Sequence, residues 1–284
     1  MLSPTGLPAS LRNIDRTLVM GIVNVTPDSF SDGGQWADPE SAIKRGLLLH
    51  ADGADLVDVG GESTRPGAQR IAPEEELARV LPVVTELARA GVHVSIDTMR
   101  AKVAQRCVEA GAILVNDVSG GQADPQMLPW LATCSVPYIA MHWRGPSDVM
   151  EDLATYDDVV HDVRDELAGR LEAIAGAGVS VDRVVLDPGL GFAKRSGHNW
   201  ALLSDLQALG SLGRPLLIGA SRKRFLGDLL ADGAGQPRPL EHRDAAGDAV
   251  TALAAAQGVW CVRVHEVRAS RDAVMVAQAW KDGS

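Results

Sequence analysis

Short apolar runs rich in β-branched residues alternate along the chain with longer amphipathic stretches. Eight of these runs are almost continuously apolar, which is typical of parallel strands buried on both faces of a sheet. They cover residues 18–25, 56–59, 92–96, 113–115, 138–141, 184–186, 216–218 and 259–264. The stretches between them, such as residues 74–90 and 157–177, place apolar residues every three or four positions and therefore predict helices.

Residue types at the predicted helix ends support this alternation. At five places a glycine follows the last helical residue, where a left-handed backbone can close the helix before the next strand. These glycines are Gly53, Gly91, Gly111, Gly178 and Gly258. At two other places, Asp38-Pro39 and Asp124-Pro125, the pattern predicts an aspartate N-cap followed by a proline as the first helical residue.

The number of strands and helices favours one architecture. A (β/α)8 barrel, or TIM barrel, is an α/β fold of about 250 residues, and this chain has 284. An open, doubly wound parallel sheet is the alternative that the same pattern allows. No linker, low-complexity tract or shift in composition divides the chain. We therefore predict a single barrel domain over residues 17–284, after an N-terminal extension over residues 1–16.

Composition and charge narrow the functional classes. The chain is 46% hydrophobic and 23% charged, which is ordinary for a globular protein and excludes a disordered one. Its 37 acidic and 27 basic side chains leave a net charge of −10. This balance argues against a surface that binds nucleic acid, but it allows a local basic pocket for an anion.

Neither a disulfide framework nor a membrane anchor is expected. Cys107, Cys134 and Cys261 lie far apart and form no CxxC pair, which predicts free thiols in a reducing compartment. No uninterrupted stretch of 18 apolar residues occurs, so we expect no membrane-spanning helix. Residues 1–16 contain no apolar run of signal-peptide length, and we therefore expect a cytoplasmic protein.

Polar side chains follow nearly every predicted strand. In a barrel the C-terminal ends of all the strands meet on one face, and that face carries the chemistry. The residues at or just beyond these ends are Asn24, Asp58, Glu62, Asp97, Asn116, Asp117, His142, Asp187, Ser221, Lys223, Arg263 and His265. We therefore expect them to surround a single polar mouth.

Three of these residues suggest the kind of ligand. Asp97, Asn116 and Asp187 come from three different strands and together offer carboxylate acceptors and an amide that both donates and accepts. Such a set suits a flat heterocycle with several N–H groups, such as a 2-amino-4-oxo pterin or a guanine. The alternative is that each aspartate only caps the helix that follows it.

A second subset is basic, in an otherwise acidic protein. It consists of Arg65, Arg222, Lys223, Arg263 and His265. Basic residues on the seventh and eighth strand–helix turns resemble the phosphate site of many barrels and would neutralise a phosphate or a diphosphate. Arg263 and His265 are two positions apart, so both side chains point to the same side of their strand. Salt bridges at the barrel rim are the alternative.

Two loops rich in glycine, proline and hydroxyl groups follow the first and second strands. They cover residues 26–34 and 60–67. Backbone N–H groups in such loops can wrap an anion, and such loops can move over a bound ligand. Ordinary connecting loops are the alternative.

Eight segments resemble the signatures of one enzyme family. They are GIVNVTPDSFSDGG (21–34), DVGGESTRPG (58–67), SIDT (95–98), VNDVSG (115–120), MH (141–142), DPGLGFAK (187–194), GASRK (219–223) and RVH (263–265). A single match would be weak, but the set occurs in the right order over nearly the whole chain. On these motifs the sequence resembles the dihydropteroate synthase family of pterin-binding barrel enzymes.

The resemblance implies a reaction in folate biosynthesis. Members of this family condense 6-hydroxymethyl-7,8-dihydropterin pyrophosphate with p-aminobenzoate, which gives 7,8-dihydropteroate and pyrophosphate, and they are the targets of sulfonamides. The resemblance also implies a transferase with a TIM barrel fold that is assisted by Mg²⁺ and forms a homodimer.

Roles for individual residues are implied as well. Pterin binding is implied for Asp97, Asn116, Met141, Asp187, Gly219 and Lys223. Pyrophosphate binding is implied for Asn24, Arg263 and His265, and Asn24 is in addition the metal-linked asparagine. Contacts with p-aminobenzoate are implied for Phe30, Thr64, Arg65, Pro66 and Phe192. Asp32 is implied to lie near the metal and the incoming amine, so the implied catalytic residues are Asp32, Asp97, Asp187 and Lys223.

One position departs from the family pattern. Arg224 stands where many relatives carry a serine that helps to hold the carboxylate of p-aminobenzoate. A guanidinium, or the backbone N–H at this predicted helix start, could bind the same carboxylate.

Three other functions are alternatives. A related barrel enzyme that binds methyltetrahydrofolate for methyl transfer to a corrinoid would share the pterin pocket, but it has no use for segment 63–66 or for the pair Arg263 and His265. An inactive paralogue would be expected to have lost residues from the two loops. A phosphate-sugar aldolase or isomerase on the same fold would need a Schiff-base lysine or a glutamate base.

Overall fold

The computed structural model of the chain describes residues 2–26, 39–63, 70–146, 150 and 152–283. Within these residues, eight parallel strands form one sheet. They are β1 (Leu18–Asn24), β2 (Leu56–Gly60), β3 (Val94–Asp97), β4 (Leu114–Asp117), β5 (Tyr138–Met141), β6 (Val184–Asp187), β7 (Leu217–Ile218) and β8 (Cys261–Val264). Each lies where the apolar runs predict a strand.

The sheet closes into a barrel. Its strand order is β6-β5-β4-β3-β2-β1-β8-β7, so β1 pairs with both β2 and β8. A parallel bridge between Leu186 and Leu216 joins the two ends of this order. The predicted (β/α)8 barrel is therefore confirmed, and the open doubly wound sheet is wrong.

Helices connect the strands and cover the outside of the barrel. The helices in the described part of the chain are α1 (Ala9–Arg12), α2 (Pro39–Ala51), α3 (Pro73–Arg89), α4 (Ala101–Glu109), α5 (Met127–Leu131), α6 (Val159–Gly176), α7 (Ser196–Ser204), α8 (Leu206–Gly210), α9 (Arg224–Leu229), α10 (Asp244–Ala256) and α11 (Val267–Asp282). Short 3₁₀ turns lie at Val181–Arg183 and Leu240–His242. The side chain of Asp158 caps α6, because it accepts hydrogen bonds from the N–H groups of Val160 and His161.

The predicted helix ends are confirmed at the glycines and differ at one aspartate. All five glycines have positive φ, from +80° at Gly258 to +115° at Gly111. Asp124 was expected to cap the helix that follows it, but that helix begins only at Met127. Oδ1 of Asp124 closes a turn by accepting from the N–H of Gln126, and Oδ2 accepts from the N–H of Ala101, the first residue of α4. Asp38 lies outside the described residues.

The interior of the barrel is packed with apolar side chains at its N-terminal end. This inner cluster consists of Leu7, Leu11, Leu18, Met20, Leu56, Leu114, Ile139, Val185, Leu217, Trp260 and Cys261. Leu7 and Leu11 precede β1, so the N-terminal segment lies against this end of the barrel. A larger cluster fills the space between the outer faces of the strands and the helices. The barrel is a packed core and has no pore.

Strand alternation links this apolar floor to the candidate site. Successive side chains point to opposite faces of a strand, so residues two positions apart share a face. On six strands, the residue two positions beyond an inner apolar residue is polar or a candidate site residue. The pairs are Leu56 and Asp58, Leu114 and Asn116, Ile139 and Met141, Val185 and Asp187, Leu217 and Gly219, and Cys261 and Arg263. The interior therefore changes from apolar to polar towards the C-terminal ends of the strands.

The structure also describes the three cysteines and the character of the helices. Cys107 and Cys261 are buried, Cys134 is half-buried, and all three are free, as predicted. Among the helices of the described residues, none combines the length and the apolar character that crossing a bilayer requires.

Candidate active site

Polar side chains from four strands meet at Arg263. Its Nε lies 2.6 Å from Oδ2 of Asp58, and its Nη2 lies 2.7 Å from Oδ2 of Asp97. The amide nitrogen of Asn116 donates to the same Asp58 oxygen at 2.9 Å. These contacts join β8, β2, β3 and β4. The structure therefore brings together Arg263, Asp97 and Asn116, three residues that the sequence places in one site.

Burial shapes the charges in this cluster. Asp58 is fully buried, and its second oxygen, Oδ1, has no hydrogen-bond partner among the described residues. A carboxylate is tolerated at such a depth because a guanidinium lies against it. Burial raises the pKa of Asp97 to about 7, although Arg263 lowers it, and the nearby Asp58 raises it further. Two carboxylates thus share one guanidinium, and Asp97 binds a proton near neutral pH.

Asp187 combines a local role with a place in the mouth. Its Oδ1 accepts from the N–H of Gly189 at 2.7 Å and closes a turn directly after β6. The next helix, α7, begins only at Ser196, so the helix-capping alternative is wrong for Asp187. The turn uses only one of the two carboxylate oxygens. Burial raises the pKa of Asp187, while that hydrogen bond, Lys223 and Arg263 lower it. The carboxyl group therefore faces the same cations as Asp97.

Lys223 lies between the acidic residues and an aromatic ring. Its Nζ is 4.2 Å from the centroid of the Phe192 ring, within the range of a cation–π contact. Burial and the neighbouring Arg263 lower the pKa of Lys223 to about 8, against the effect of Asp187. Gly191, with φ +77°, makes room for the lysine, because a Cβ there would lie 3.2 Å from its Cδ.

Arg222 does not belong to the basic site. Its Nε lies 2.7 Å from Oδ1 of Asp244, and its Nη2 lies 2.8 Å from Oε1 of Glu266. Its guanidinium is therefore engaged by carboxylates, and the rim salt-bridge alternative describes this residue. Arg222 also has φ +60°, which is uncommon for a residue with a side chain.

His265 is neutral, contrary to the basic role expected for it. Burial, together with Arg222 and Arg263, lowers its pKa to about 3. The hydroxyl oxygen of Ser221 accepts from the backbone N–H of His265 at 3.2 Å and lies 2.9 Å from Nδ1. The Ser221 hydroxyl can donate its own proton to Nδ1, and in that arrangement Nε2 carries the ring proton. His265 offers an N–H donor to a ligand, and no positive charge.

A small cleft adjoins this mouth. Its lining includes Glu62, Ser63, Arg70, Met99, Val118, Trp143, Gly145, Pro146, Met150 and Phe192. Phe192 belongs both to the cleft and to the contact with Lys223. Apolar walls with a few polar groups are typical of a site for a small aromatic molecule.

Comparison with known proteins identifies the family. The sequence profile of a family described as "Pterin binding enzyme" matches residues 20–265, which is most of the chain. This chain belongs to the family of pterin-binding enzymes. The family predicted from the motifs is therefore confirmed.

Named relatives and solved structures are similar over nearly the full length of this pterin-binding enzyme. The dihydropteroate synthase of Mycobacterium leprae is 53% identical over 92% of this chain and 93% of its own. A structure of Xanthomonas albilineans dihydropteroate synthase with 4-aminobenzoic acid has a TM-score of 0.86 at 44% identity, with 94% of each chain covered. The Yersinia pestis dihydropteroate synthase in complex with a sulfonamide drug has a TM-score of 0.89 at 38% identity, with 99% of each covered.

Some of the other predicted site residues of this pterin-binding enzyme lie within the described part of the chain, and some lie outside it. Asn24 ends β1, Met141 ends β5 as a buried residue, and Gly219 follows β7 next to Arg263. Five predicted residues lie outside the described residues, and their roles stay predictions; they are Phe30, Asp32, Thr64, Arg65 and Pro66.

The described residues fit a Mg²⁺ ion that binds mainly to the phosphates of a substrate, with few ligands from the protein. In this part of the chain no group of three or more His, Cys, Asp or Glu side chains could hold a metal ion. Mg²⁺ is commonly bound by one or two protein oxygens together with substrate phosphates and water. Asn24, half-buried at the C-terminal end of β1, supplies one amide oxygen of the kind that Mg²⁺ accepts. A magnesium-bound diphosphate is thus compatible with this mouth.

Sequence reasoning assigned no role to Arg100, which lies beyond the end of β3. Its Nη2 donates to Glu62 at 2.8 Å and to the carbonyl of Ile71 at 2.6 Å, and it also pairs with the buried Glu76. Glu62 in turn accepts from the N–H of Ile71 at 3.1 Å. Arg100 thereby holds together two points that flank segment 63–70. No local pattern around Arg100 signals this contact, because its partners are far away in the sequence.

Proposed function

We propose that this pterin-binding enzyme condenses 6-hydroxymethyl-7,8-dihydropterin pyrophosphate with p-aminobenzoate, which gives 7,8-dihydropteroate and pyrophosphate. The observation that carries the proposal is the mouth of the barrel. There, Asp97, Asn116 and Asp187 lie beside Lys223 and Arg263, above an apolar floor. Relatives that bear the name dihydropteroate synthase extend over nearly the whole chain and confirm the predicted transferase activity.

The acceptors in the mouth match the donors of a pterin. Because the amide nitrogen of Asn116 donates to Asp58, the amide oxygen is left to accept from a ligand. Asp97 and Asp187 add carboxylate oxygens. A 2-amino-4-oxo pterin presents N–H groups from its amino substituent and its ring, and hydrogen bonds from such donors to carboxylates are strong. Asp97, Asn116 and Asp187 thus bind and orient the ring.

The pyrophosphate lies on the basic side of the same mouth. His265 donates from Nε2, Lys223 supplies a positive charge, and Arg263 uses Nε and Nη2 for carboxylates, which leaves Nη1 for the anion. Asn24 would hold Mg²⁺ at this end. When it is bound, Mg²⁺ neutralises charge on the leaving pyrophosphate.

The bond that breaks joins the methylene carbon of the pterin to a pyrophosphate oxygen. The electron pair of this bond leaves with the pyrophosphate, and the dihydropterin ring donates electron density to the carbon, so departure can precede attack. The carboxylates of Asp97 and Asp187 stabilise the electron-poor ring. The amine of p-aminobenzoate is neutral at pH 7, attacks the carbon and passes one proton to the released pyrophosphate or to water. This nucleophile requires no strong general base.

p-Aminobenzoate occupies the side of the mouth marked by Phe192. The ring of Phe192 lies under Lys223 and lines the apolar cleft, which supports packing against a second aromatic ring. The proposal assigns Phe30, Thr64, Arg65 and Pro66 to this subsite and Asp32 to the incoming amine, as the family resemblance implies. The Xanthomonas albilineans relative was solved with 4-aminobenzoic acid, which supports this substrate.

The proposal includes two further properties, a homodimer and a cytoplasmic location. For the homodimer, large apolar side chains are exposed on the two adjacent helices α10 and α11, which supports a buried interface there. They are Leu253 at 66%, Met275 at 48%, Val276 at 62% and Trp280 at 86% exposure. Three free thiols support a reducing compartment.

An assay of the purified chain with the pterin pyrophosphate, p-aminobenzoate and Mg²⁺ tests the proposed reaction. We expect equimolar dihydropteroate and pyrophosphate, and a loss of turnover of about 100-fold or more in Lys223→Met, since Lys223 stabilises charge in the transition state. Folding of the variant is checked by circular dichroism.

Other outcomes of that assay would contradict the proposal. Methyl transfer from methyltetrahydrofolate to a corrinoid, without formation of dihydropteroate, would indicate the methyltransferase. Turnover of a sugar phosphate would indicate the aldolase or isomerase. A folded chain that forms no product would indicate the inactive paralogue.

A further inference from the structure

Lys194 lies in the loop between β6 and α7, beside the carbonyl of Phe192. Its Nζ is 3.1 Å from that carbonyl oxygen and 2.9 Å from Nδ1 of His142. Burial lowers the pKa of Lys194 to about 7, although Asp187 raises it. No step of the proposed reaction uses this lysine, so a half-buried amine with two defined partners needs a separate explanation.

The hydrogen bonds around Lys194 have one consistent direction. His142 is buried, and its Nε2 lies 2.8 Å from Oε2 of Glu166. The Glu166 carboxylate only accepts, because His142 and Arg144 together hold its pKa at about 2 against the effect of burial. Nε2 of His142 therefore carries the ring proton, and Nδ1 accepts from Lys194. Lys194 has a further N–H for the Phe192 carbonyl whether it is charged or neutral.

A second contact holds the next residue of the same loop. The hydroxyl of Tyr156 donates to the carbonyl of Ala193 at 3.0 Å, and the guanidinium of Arg144 lies 3.8 Å from the centre of the Tyr156 ring. Arg144 also donates to Glu166 at 3.1 Å, so the two contacts share a support. Ala193 has φ +47°, which is unfavourable for a residue with a side chain and persists only when the surroundings hold it.

These contacts fix the backbone that carries the Phe192 ring. The N–H of Phe192 donates to the carbonyl of Gly189 at 3.0 Å, and its C=O accepts from Lys194. With both backbone groups held, the ring has few orientations, and one of them places it under Lys223. The loop is thus tied through His142 and Glu166 to the segment that follows β5 and to α6.

We propose that Lys194 is a positioning residue for the second substrate, holding the Phe192 carbonyl so that the Phe192 ring is preset for an aromatic carboxylate such as p-aminobenzoate. The proposal rests on the function proposed above. Lys194 has less effect on the pterin, because Asp187 keeps the hydrogen bond from Gly189 and keeps Lys223 and Arg263 as its principal cations. Loss of Lys194 should therefore separate the two substrates.

Three variants test this separation by steady-state kinetics with each substrate varied in turn. Lys194→Met keeps an unbranched side chain one heavy atom shorter and without an N–H donor, and Lys194→Arg restores donors. Lys102→Met, a lysine 68% exposed on α4, is the matched control. Calorimetry with 6-hydroxymethylpterin, which lacks the pyrophosphate and cannot react, measures pterin affinity separately.

We expect Lys194→Met to raise the KM for p-aminobenzoate about tenfold, which is the effect of a lost buried hydrogen bond. The KM for the pterin pyrophosphate and the Kd for 6-hydroxymethylpterin should change by less than about twofold, within the scatter of neutral surface changes. Lys194→Arg should recover part of the loss, and Lys102→Met should match the unaltered chain.

An equal rise of both KM values, or no change in either, would overturn the proposal. If Lys194→Met does not fold, Glu166→Ala weakens the same series of hydrogen bonds at its other end, where the Glu166 side chain is 41% exposed. Glu166→Ala should raise only the KM for p-aminobenzoate, by a smaller factor than Lys194→Met. If the KM for p-aminobenzoate does not change in Glu166→Ala, the proposal is also overturned. An unaltered chain that forms no dihydropteroate would instead contradict the proposed function.

Discussion

The Nε of Arg263 lies 2.6 Å from Oδ2 of Asp58, a carboxylate that is fully buried beneath the mouth of the barrel. The same oxygen accepts from the amide of Asn116, so one carboxylate orients a cation and an amide on two different strands. Asp58 is too deeply buried to contact a ligand directly. Its effect on substrate binding therefore acts through Arg263 and Asn116.

Asp58→Asn tests this arrangement. The amide oxygen can still accept from Arg263 and Asn116, but it carries no charge to pair with the guanidinium. The new NH₂ group would be buried at the Oδ1 position, where it has no acceptor among the described residues, so the orientation of Asn116 is held less firmly. We expect the Kd for 6-hydroxymethylpterin to rise about tenfold or more, by calorimetry. We also expect the free energy of unfolding to fall by about 2–4 kcal/mol in denaturant titration, because Arg263 keeps only Asp97.

Asp182→Asn is the matched control for that change. Asp182 is 66% exposed and pairs with Arg214 just before β6, at the opposite end of the barrel from the mouth. Loss of such a surface pair should change the free energy of unfolding by about 1 kcal/mol or less and leave pterin affinity unaltered. Wild-type pterin affinity in Asp58→Asn would refute the role of Asp58.

The pH dependence of pterin binding should report Asp97. Burial raises the pKa of this carboxyl group to about 7, so it is ionised above that pH and protonated below it. Because the ionised form accepts N–H donors better, the Kd for 6-hydroxymethylpterin should rise by up to about tenfold per pH unit as the pH falls below about 7. Calorimetry from about pH 5.5 to about pH 8 measures this slope. Asp97→Asn should bind weakly at every pH, and a variant that kept the slope would assign it to another group.

His265 should act as a hydrogen-bond donor and not as a cation. Its lowered pKa, about 3, keeps it neutral in the working range. His265→Ala should raise the KM for the pterin pyrophosphate about tenfold, since one donor to the pyrophosphate is lost, and His265→Gln should recover part of it with its amide N–H. Binding of 6-hydroxymethylpterin, which has no pyrophosphate, should be unaffected. A similar loss in that binding would place His265 on the ring instead.

The N-terminal segment should contribute to stability. Leu11 is 3% exposed and belongs to the apolar cluster inside the barrel. Leu11→Ala should lower the free energy of unfolding by about 2–4 kcal/mol through lost burial and a residual cavity. Leu2, in the same segment, is 58% exposed, and Leu2→Ala should cost less than about 0.5 kcal/mol. Equal effects in urea titrations would show that the segment does not pack as described.

The fold and the main members of the site are visible in the sequence because both follow from short-range patterns. Apolar runs predict all eight strands, and the period of two places Asn116 and Asp187 directly above the inner apolar layer. Their basic side chains, at or just beyond the ends of the seventh and eighth strands, bring in Lys223 and Arg263. The protonation of His265 was not predictable because it depends mainly on burial, and the pairing of Arg222 was not predictable because its partners lie more than 20 residues away.

The supporting contacts of two further side chains were not predictable for a different reason. Arg100 and Lys194 act on the backbone carbonyls of Ile71 and Phe192, and a carbonyl leaves no trace in the choice of residue. Asp124 shows a related limit. Its residue type indicates capping, but the helix that it caps, α4, is not the one that follows it.

A crystal structure with the pterin pyrophosphate bound would show directly whether both parts of this substrate lie in the barrel mouth. We expect the bicyclic ring within hydrogen-bond distance of Asp97, Asn116 and Asp187, with the pyrophosphate at Nε2 of His265. A ring bound outside the barrel mouth, or a pyrophosphate remote from His265 with the ring turned away from Asn116, would contradict it.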